Sequence, residues 1–387
     1  MSDLESQALR IGIIGATGYI GTPYRQEIRE SKQAKIVAVC ARRADLLAAA
    51  AAEDGAQLAT SDWREVIHHP DVNYVIVATP DALHHDAVLA CAKAKKHLFC
   101  EKPVGVNALE ARAMVAAYAQ SPSLATYVPF WTRYVEVFSE ARKLVQRGTL
   151  GQIKVIIYRW YNPRPASMPF TWRDDPTLSA AGSIADVGSH AYDMVRWILG
   201  EEAIRVLAHA DTITPAKADL GGVNLAEALA WGQSHQLEDV QTKRGGTPDY
   251  ACAAWEFPSG AVGSLLVSHA TFLRKGFSPE LEFHGTDASL GIDRLTGTLT
   301  LAKPDGSTEV IAHHPDQGFG NRFKKHVFPA FYRTLDSNLP QDHPNLEDGW
   351  RIQVFTDAVE QSARLGQWIR LDEVNGAEPL EPARIDS

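Results

Sequence analysis

Apolar runs long enough to cross a bilayer are missing from this chain. No stretch approaches the ~18 uncharged residues that a membrane-spanning helix needs. Cysteine is scarce as well: Cys40, Cys91, Cys100 and Cys252 are the four in 387 residues, and none is spaced C-x-x-C. Such usage excludes a disulfide scaffold and reads as reduced, buried thiols of a cytoplasmic protein. Basic blocks are absent. The net charge is −9, and Lys324-Lys325 is too short a cluster to attract a phosphate backbone, so a nucleic-acid partner is not expected. There is no Asn-x-Ser/Thr sequon, and the opening Met1–Ser6 is polar and acidic, without the basic and apolar regions of a secretory signal. The His pairs at 68–69, 84–85 and 313–314 form no cluster, and beside Asp186 and His190 no third ligand is spaced for a metal.

What is present suits two globular domains: 387 residues, 45% hydrophobic and 22% charged. Up to about Phe130, short apolar runs alternate with helical patterns. Strands are expected at Arg10–Gly15, Lys35–Ala41, Asn73–Ala78, Leu98–Cys100 and Leu124–Val128. Helices are expected at Leu46–Glu53, Asp62–His68, Asp81–Lys95 and Asn107–Ala119. This order predicts βαβ units and a parallel sheet over residues 1–130. From 131 to 387 the character changes. A long amphipathic helix is predicted at Trp131–Arg147, closed by Gly148. Longer strand-like runs follow, from Gln152–Tyr161 to Thr308–Ala312, with hairpin turns at Pro258-Ser259-Gly260 and Pro304-Asp305-Gly306. Helices close the chain at Gly320–Leu335 and Leu346–Leu365, and residues 215–247 read as an insertion with some helix. The expected fold class is α/β: a parallel sheet followed by an α+β domain with an open, mainly antiparallel sheet.

The first strand runs into Gly15-Ala16-Thr17-Gly18-Tyr19-Ile20-Gly21 and then a helix. Glycines at such a turn admit a pyrophosphate, and the helix start supplies N–H donors, so Gly15, Thr17, Gly18, Tyr19 and Ile20 are candidate dinucleotide contacts. The second strand ends in Arg42 and Arg43, with no carboxylate before Asp45. Two guanidiniums suit a 2′-phosphate, which favours NADP over NAD. Thr79, Pro80 and His84 follow the third clear strand, where the nicotinamide half would cross.

Two further stretches carry chemistry. Glu101-Lys102-Pro103 ends an apolar strand, where a fixed ammonium could hold or protonate a substrate oxygen; a surface ion pair is the plainer alternative. Asp186, His190 and Asp193 are spaced i, i+4 and i+7, which on an α-helix would let Asp186 orient His190 as a proton acceptor; a helix-capping Asp beside a partly buried, satisfied His is the plainer alternative. Tyr158, Trp160, Tyr161, Arg164, Trp172 and Arg173 precede them, and aromatics with guanidiniums suit a polyhydroxyl or carboxylate ligand; an aromatic core edge is the other reading.

Taken together, the glycine turn, Ala78-Thr79-Pro80 with His84, Glu101-Lys102-Pro103, and Trp172-Arg173 leading to Gly182 and Asp186-x-Gly188-x-His190-x-x-Asp193 resemble the Gfo/Idh/MocA oxidoreductases over nearly the whole chain. The resemblance implies a Rossmann domain, a second domain whose open sheet joins subunits into a homodimer or homotetramer, and an NAD(P)-dependent reaction on a secondary alcohol of a sugar, cyclitol or polyol. It implies that Lys102 meets both the nicotinamide ribose and the reacting hydroxyl, that Asp186 and His190 bind the sugar and move its proton, and that Glu101 lies at the cofactor. A glycosidase working through a transient keto-sugar, and a non-catalytic dinucleotide or sugar sensor, are the alternatives.

Overall fold

Six parallel strands in the order β3-β2-β1-β4-β5-β6 form the first layer: β1 (Leu9–Ile14), β2 (Ala34–Cys40), β3 (Leu58–Thr60), β4 (Tyr74–Val77), β5 (His97–Cys100) and β6 (Thr126–Tyr127). They alternate with helices α1 (Gly21–Ser31), α2 (Ala44–Asp54), α3 (Trp63–His68), α4 (His84–Lys93) and α5 (Ala108–Ala119). The computed structural model describes residues 9–234, 240–270, 273, 275–276, 278–315, 318–335 and 342–378. The acidic Met1–Ser6 segment and parts of the 215–247 insertion lie outside the described residues. β1 and β4 are buried almost throughout, as strands covered on both faces by helices must be. Asp62 and Asn107 cap α3 and α5 by accepting amide hydrogens through their side chains.

The second layer follows α6 (Glu136–Gln146), which is shorter than the sequence pattern suggested because a 3-10 turn at Trp131–Tyr134 and the extended Val135 precede it. β7 (Ile153–Tyr161) leads to α7 (Ser189–Leu199), β8 (Arg205–Asp211), β9 (Lys217–Ala218), α8 (Leu225–Ser234), β10 (Thr242–Lys243), β11 (Tyr250–Glu256) and β12 (Val262–Ser268). After these come β13 (Leu281–Gly285), β14 (Ser289–Asp293), β15 (Thr298–Ala302), β16 (Thr308–His313), α9 (Phe328–Leu335), α10 (Leu346–Leu365) and β17 (Ile369–Arg370). Nine of these strands form an open sheet ordered β16-β15-β14-β13-β7-β12-β11-β8-β17. Its pairs are antiparallel except β7 with β12. That parallel pair escapes a reading based on hairpin turns. It sets the ends of β7 and β12 side by side, with Tyr161 opposite Ser268.

Helices α7 and α10 cover the inner face of this sheet, where Tyr192 stacks on Phe355 with ring centroids 3.8 Å apart. Helix α10 also packs on α5, so one helix binds both layers. Cys40, Cys91 and Cys100 are buried as expected; Cys252 is exposed, because β11 turns it to the outer face. No described helix is long and apolar enough to cross a membrane.

Candidate active site

The glycine turn is tight. Gly15 has φ +87° and donates to Cys40 O, while Gly18 donates back to Gly15 O at 3.0 Å. A Cβ on Gly15 would stand 2.3 Å from Ala78 O, and one on Gly21 would stand 2.2 Å from Gly15 O, so both positions exclude a side chain. Helix α1 then begins with no side-chain cap and no acidic residue in its first turn. Its dipole favours an anion at the turn, while the first-turn amides of Thr22 and Tyr24 are already answered by Gly18 O and Ile20 O. At the end of the neighbouring β4, the buried Thr79 Oγ1 has no partner among the described residues. A strand-end turn that a pyrophosphate can approach and an unanswered hydroxyl beside it fit a dinucleotide.

His84 and Glu101 are not part of that open surface. His84 is fully buried, with its ring nitrogens 2.9 Å from Pro103 O and Thr79 O. It ties the loop after β4 to the loop after β5. Glu101 lies beneath the surface, accepts from Tyr24 OH, and receives the Lys102 amide at 3.2 Å. Trp131 Nε1 reaches the same Tyr24 hydroxyl. Both residues were expected at the cofactor; the structure makes them internal braces that fix Lys102. The Lys102–Pro103 bond is cis.

Lys102 Nζ donates to Asp186 Oδ1 at 2.7 Å and to Asp186 O at 2.8 Å. An ammonium has three donors, so one remains for a ligand. Arg164 Nη2 lies 2.9 Å and His269 Nε2 3.1 Å from the other carboxylate oxygen, with Arg173 Nε at 3.8 Å. Burial alone would raise the Asp186 pKa. Lys102, His269 and Arg173 outweigh it and hold the carboxyl well below its usual range. His269 was not anticipated from the sequence. It follows β12, Arg164 follows β7, and the parallel pair brings them together, with the Arg164 amide donating to His269 O at 3.0 Å.

Asp186 does not orient His190. Residues Ile184–Gly188 form a π-helical turn before α7, and its wider i→i+5 spacing breaks the shared face that i, i+4 has on an α-helix. His190 instead stacks on Trp160 at 5.8 Å and meets Phe130 edge-on at 5.9 Å, and its buried Nδ1 has no partner among the described residues. Burial, then the charge of Lys102, hold its pKa well below the ordinary imidazole value and leave it neutral. Of the two neighbouring aromatics at the end of β7, Trp160 is the one that meets His190. Neighbouring strand residues face opposite ways, and Tyr161 is turned outward toward Arg159 and Cys252. Asp193 points away as well, into a buried network with Arg133.

A clamp joins the two layers beside the site. Ala82 N donates to Leu178 O at 3.1 Å, and Asp81 Oδ2 accepts from Ala180 N at 3.0 Å and Ser179 Oγ at 3.3 Å. Burial pushes the Asp81 carboxyl up to about 7. Between its unfolded value of ~3.9 and that folded value, the folded state holds a proton the unfolded chain lacks, so stability falls as pH rises through this window. Asp81→Asn keeps an acceptor for Ala180 and removes the titration. Its Tm relative to the parent is expected to improve between pH 5 and pH 8; parallel melting profiles would count against the assignment.

At the end of β2, Arg42 is exposed and Arg43 pairs with Glu227 of α8 at 2.6 Å. Trp172 lies under the Arg173 guanidinium, 4.3 Å from it. Among the described residues no group of three His, Cys, Asp or Glu side chains could hold a metal ion.

Comparison with known proteins gives a consistent picture. Residues 9–127 match the model of an oxidoreductase family with an NAD-binding Rossmann fold, and residues 138–291 match the GFO/IDH/MocA C-terminal domain. The uncharacterized oxidoreductase YrbE of Bacillus subtilis is 31% identical, the alignment covering 93% of this chain and 96% of the relative. Levoglucosan dehydrogenase of Pseudarthrobacter phenanthrenivorans is 26% identical over 86% of this chain and 88% of its own length. Myo-inositol 2-dehydrogenase of Thermotoga maritima is 25% identical over 95% and 100%. A solved levoglucosan dehydrogenase, in complex with NADH and L-sorbose, superposes with a TM-score of 0.78 at 24% identity, covering 94% of this chain and 98% of that one.

Proposed function

Because the chain belongs to the GFO/IDH/MocA oxidoreductase family, we propose that it moves a hydride between a nicotinamide dinucleotide and a secondary alcohol or ketone of a sugar, cyclitol or related polyol. The observation that carries this reading is Lys102 Nζ, fixed 2.7 Å from Asp186 at the end of β5 with one donor free, near a neutral His190. In the oxidative direction Lys102 donates to the substrate hydroxyl oxygen and stabilises the charge developing there. His190 takes the hydroxyl proton. Asp186 anchors Lys102 and keeps it in place against Arg164 and His269. When bound, the nicotinamide supplies the hydride acceptor. With His190 held well below its ordinary value, kcat/KM is expected to show no acid inflection near ~6.5. A limb at that pH, present in the parent and absent in His190→Asn, would show the imidazole to be unperturbed.

Of the two dinucleotides, NADP is the preferred cofactor. Arg42 has no ion pair among the described residues, β2 itself carries no carboxylate, and Arg43 is already answered by Glu227 at 2.6 Å and Asp45 at 3.5 Å. Arg42→Ala is expected to raise KM for NADP by roughly 10-fold, the weight of a hydrogen bond to a charged group, and to leave KM for NAD unchanged. An equal effect on both would remove the preference. Subunits are proposed to join through the outer face of the nine-stranded sheet, where the paired Val155 and Val262 are 37% and 46% exposed.

The deciding experiment is a spectrophotometric screen of sugars and cyclitols with NAD and NADP in parallel, with chromatography of the products. Nicotinamide reduction matched by keto-product supports the reading. Sugar released from a glycoside without net reduction would replace it with the glycosidase reaction, and binding without turnover would replace it with a sensor.

A further inference from the structure

Three cations face one carboxylate in this site. Lys102, Arg164 and Arg173 all converge on Asp186. The neighbouring acids offer little compensation. Asp174 is committed to Lys217 at 2.6 Å, and Asp249, held by the amides of Ile213 and Thr214, makes no ion pair with the three cations among the described residues. Asp81, whose carboxyl is pushed up to about 7 by burial, supplies only part of a charge. The cluster is largely shielded from water, the four side chains being between 11% and 22% exposed, so the surplus is not dispersed as it would be on an open surface.

Arg173 is the member with capacity to spare. Its nearest acid oxygen is 3.8 Å away, and its guanidinium makes no hydrogen bond among the described residues. Stacking on Trp172 fixes the plane of the fork. A preoriented guanidinium with unoccupied donors matches a carboxylate in bidentate geometry. A neutral hydroxyl could accept one of those hydrogens but would leave the excess charge in place.

We propose that the polyol turned over here carries a carboxylate, seated on Arg173 while Lys102 holds the reacting hydroxyl. The substrate class is thus a sugar acid or a carboxylated cyclitol. This rests on the oxidoreductase reading above and narrows it.

The test compares matched pairs with the intact enzyme: glucose with glucuronate, galactose with galacturonate, sorbitol with gluconate, and myo-inositol with quinate. At least one carboxylated member is expected to exceed its neutral partner in kcat/KM by roughly 10- to 100-fold, the weight of a hydrogen-bonded charge. Arg173→Gln should erase that margin, raising KM for the carboxylated member far more than for its neutral partner. Arg173→Lys, which keeps the charge without the fork, should recover part of it; the two variants together separate a folding defect from lost recognition. Neutral members turned over as well as or better than the acids would overturn the proposal and leave the oxidation reading standing. Reduction of neither nicotinamide by any pair would overturn both.

Discussion

Lys102→Ala is expected to lower kcat by about 10²-fold or more, the usual size of a proton-transfer or charge-stabilising contribution. The ammonium is held by two hydrogen bonds to Asp186, and its backbone by the Glu101 carboxylate, so its third donor has a defined direction. Alanine removes that donor at the atom where negative charge develops. It does not strand Asp186, which keeps Arg164 at 2.9 Å and His269 at 3.1 Å, so the folded state should survive and NAD(P)H should still bind. The loss should fall on kcat rather than on KM for the dinucleotide. A variant with parental turnover would remove Lys102 from the reaction. A variant that cannot bind dinucleotide would show its role to be architectural.

Asp193→Ala is expected to do the reverse. Asp193 is fully buried and accepts from Arg133 Nε at 2.8 Å; Arg133 in turn meets Asp348 at 2.9 Å, and Asp348 meets Arg196 at 2.7 Å. Removing one partner of such a network leaves a buried guanidinium short of its counter-charge, at a cost of about 3–5 kcal/mol. The denaturation midpoint should fall accordingly. Turnover per folded molecule should change far less than in Lys102→Ala, because Asp193 faces α10 and Arg133 rather than Lys102. Unchanged stability with lost turnover would place Asp193 in the reaction instead.

The contrast between these two residues shows what the sequence conveys and where it stops. The glycine turn, the strand-end lysine and the alternation of strands and helices are local patterns, and the structure has them close to where the pattern puts them. Asp186 and His190 are four apart, which on an α-helix means one face. The π turn at Ile184–Gly188 depends on packing against the sheet and has no local signature. Tyr161 against Trp160 is a question of strand face, and a one-residue ambiguity in register exchanges inside for outside. His269 reaches Asp186 only through the parallel pairing of β7 with β12, strands about a hundred residues apart that no turn connects. Glu101 sits next to Lys102, which does reach the site, and sequence adjacency says nothing about which of two neighbours is buried.

The central claim is that hydride passes between a polyol carbon and the nicotinamide beside Lys102. It is tested most directly with a polyol that the enzyme turns over, deuterated at the carbinol carbon and incubated with the oxidised dinucleotide. The account predicts one deuterium at C4 of the reduced nicotinamide for each keto-product formed, and no measurable transfer on this timescale with Lys102→Ala. Keto-product formed with the deuterium released to solvent, or deuterium transfer undiminished in Lys102→Ala, would contradict it.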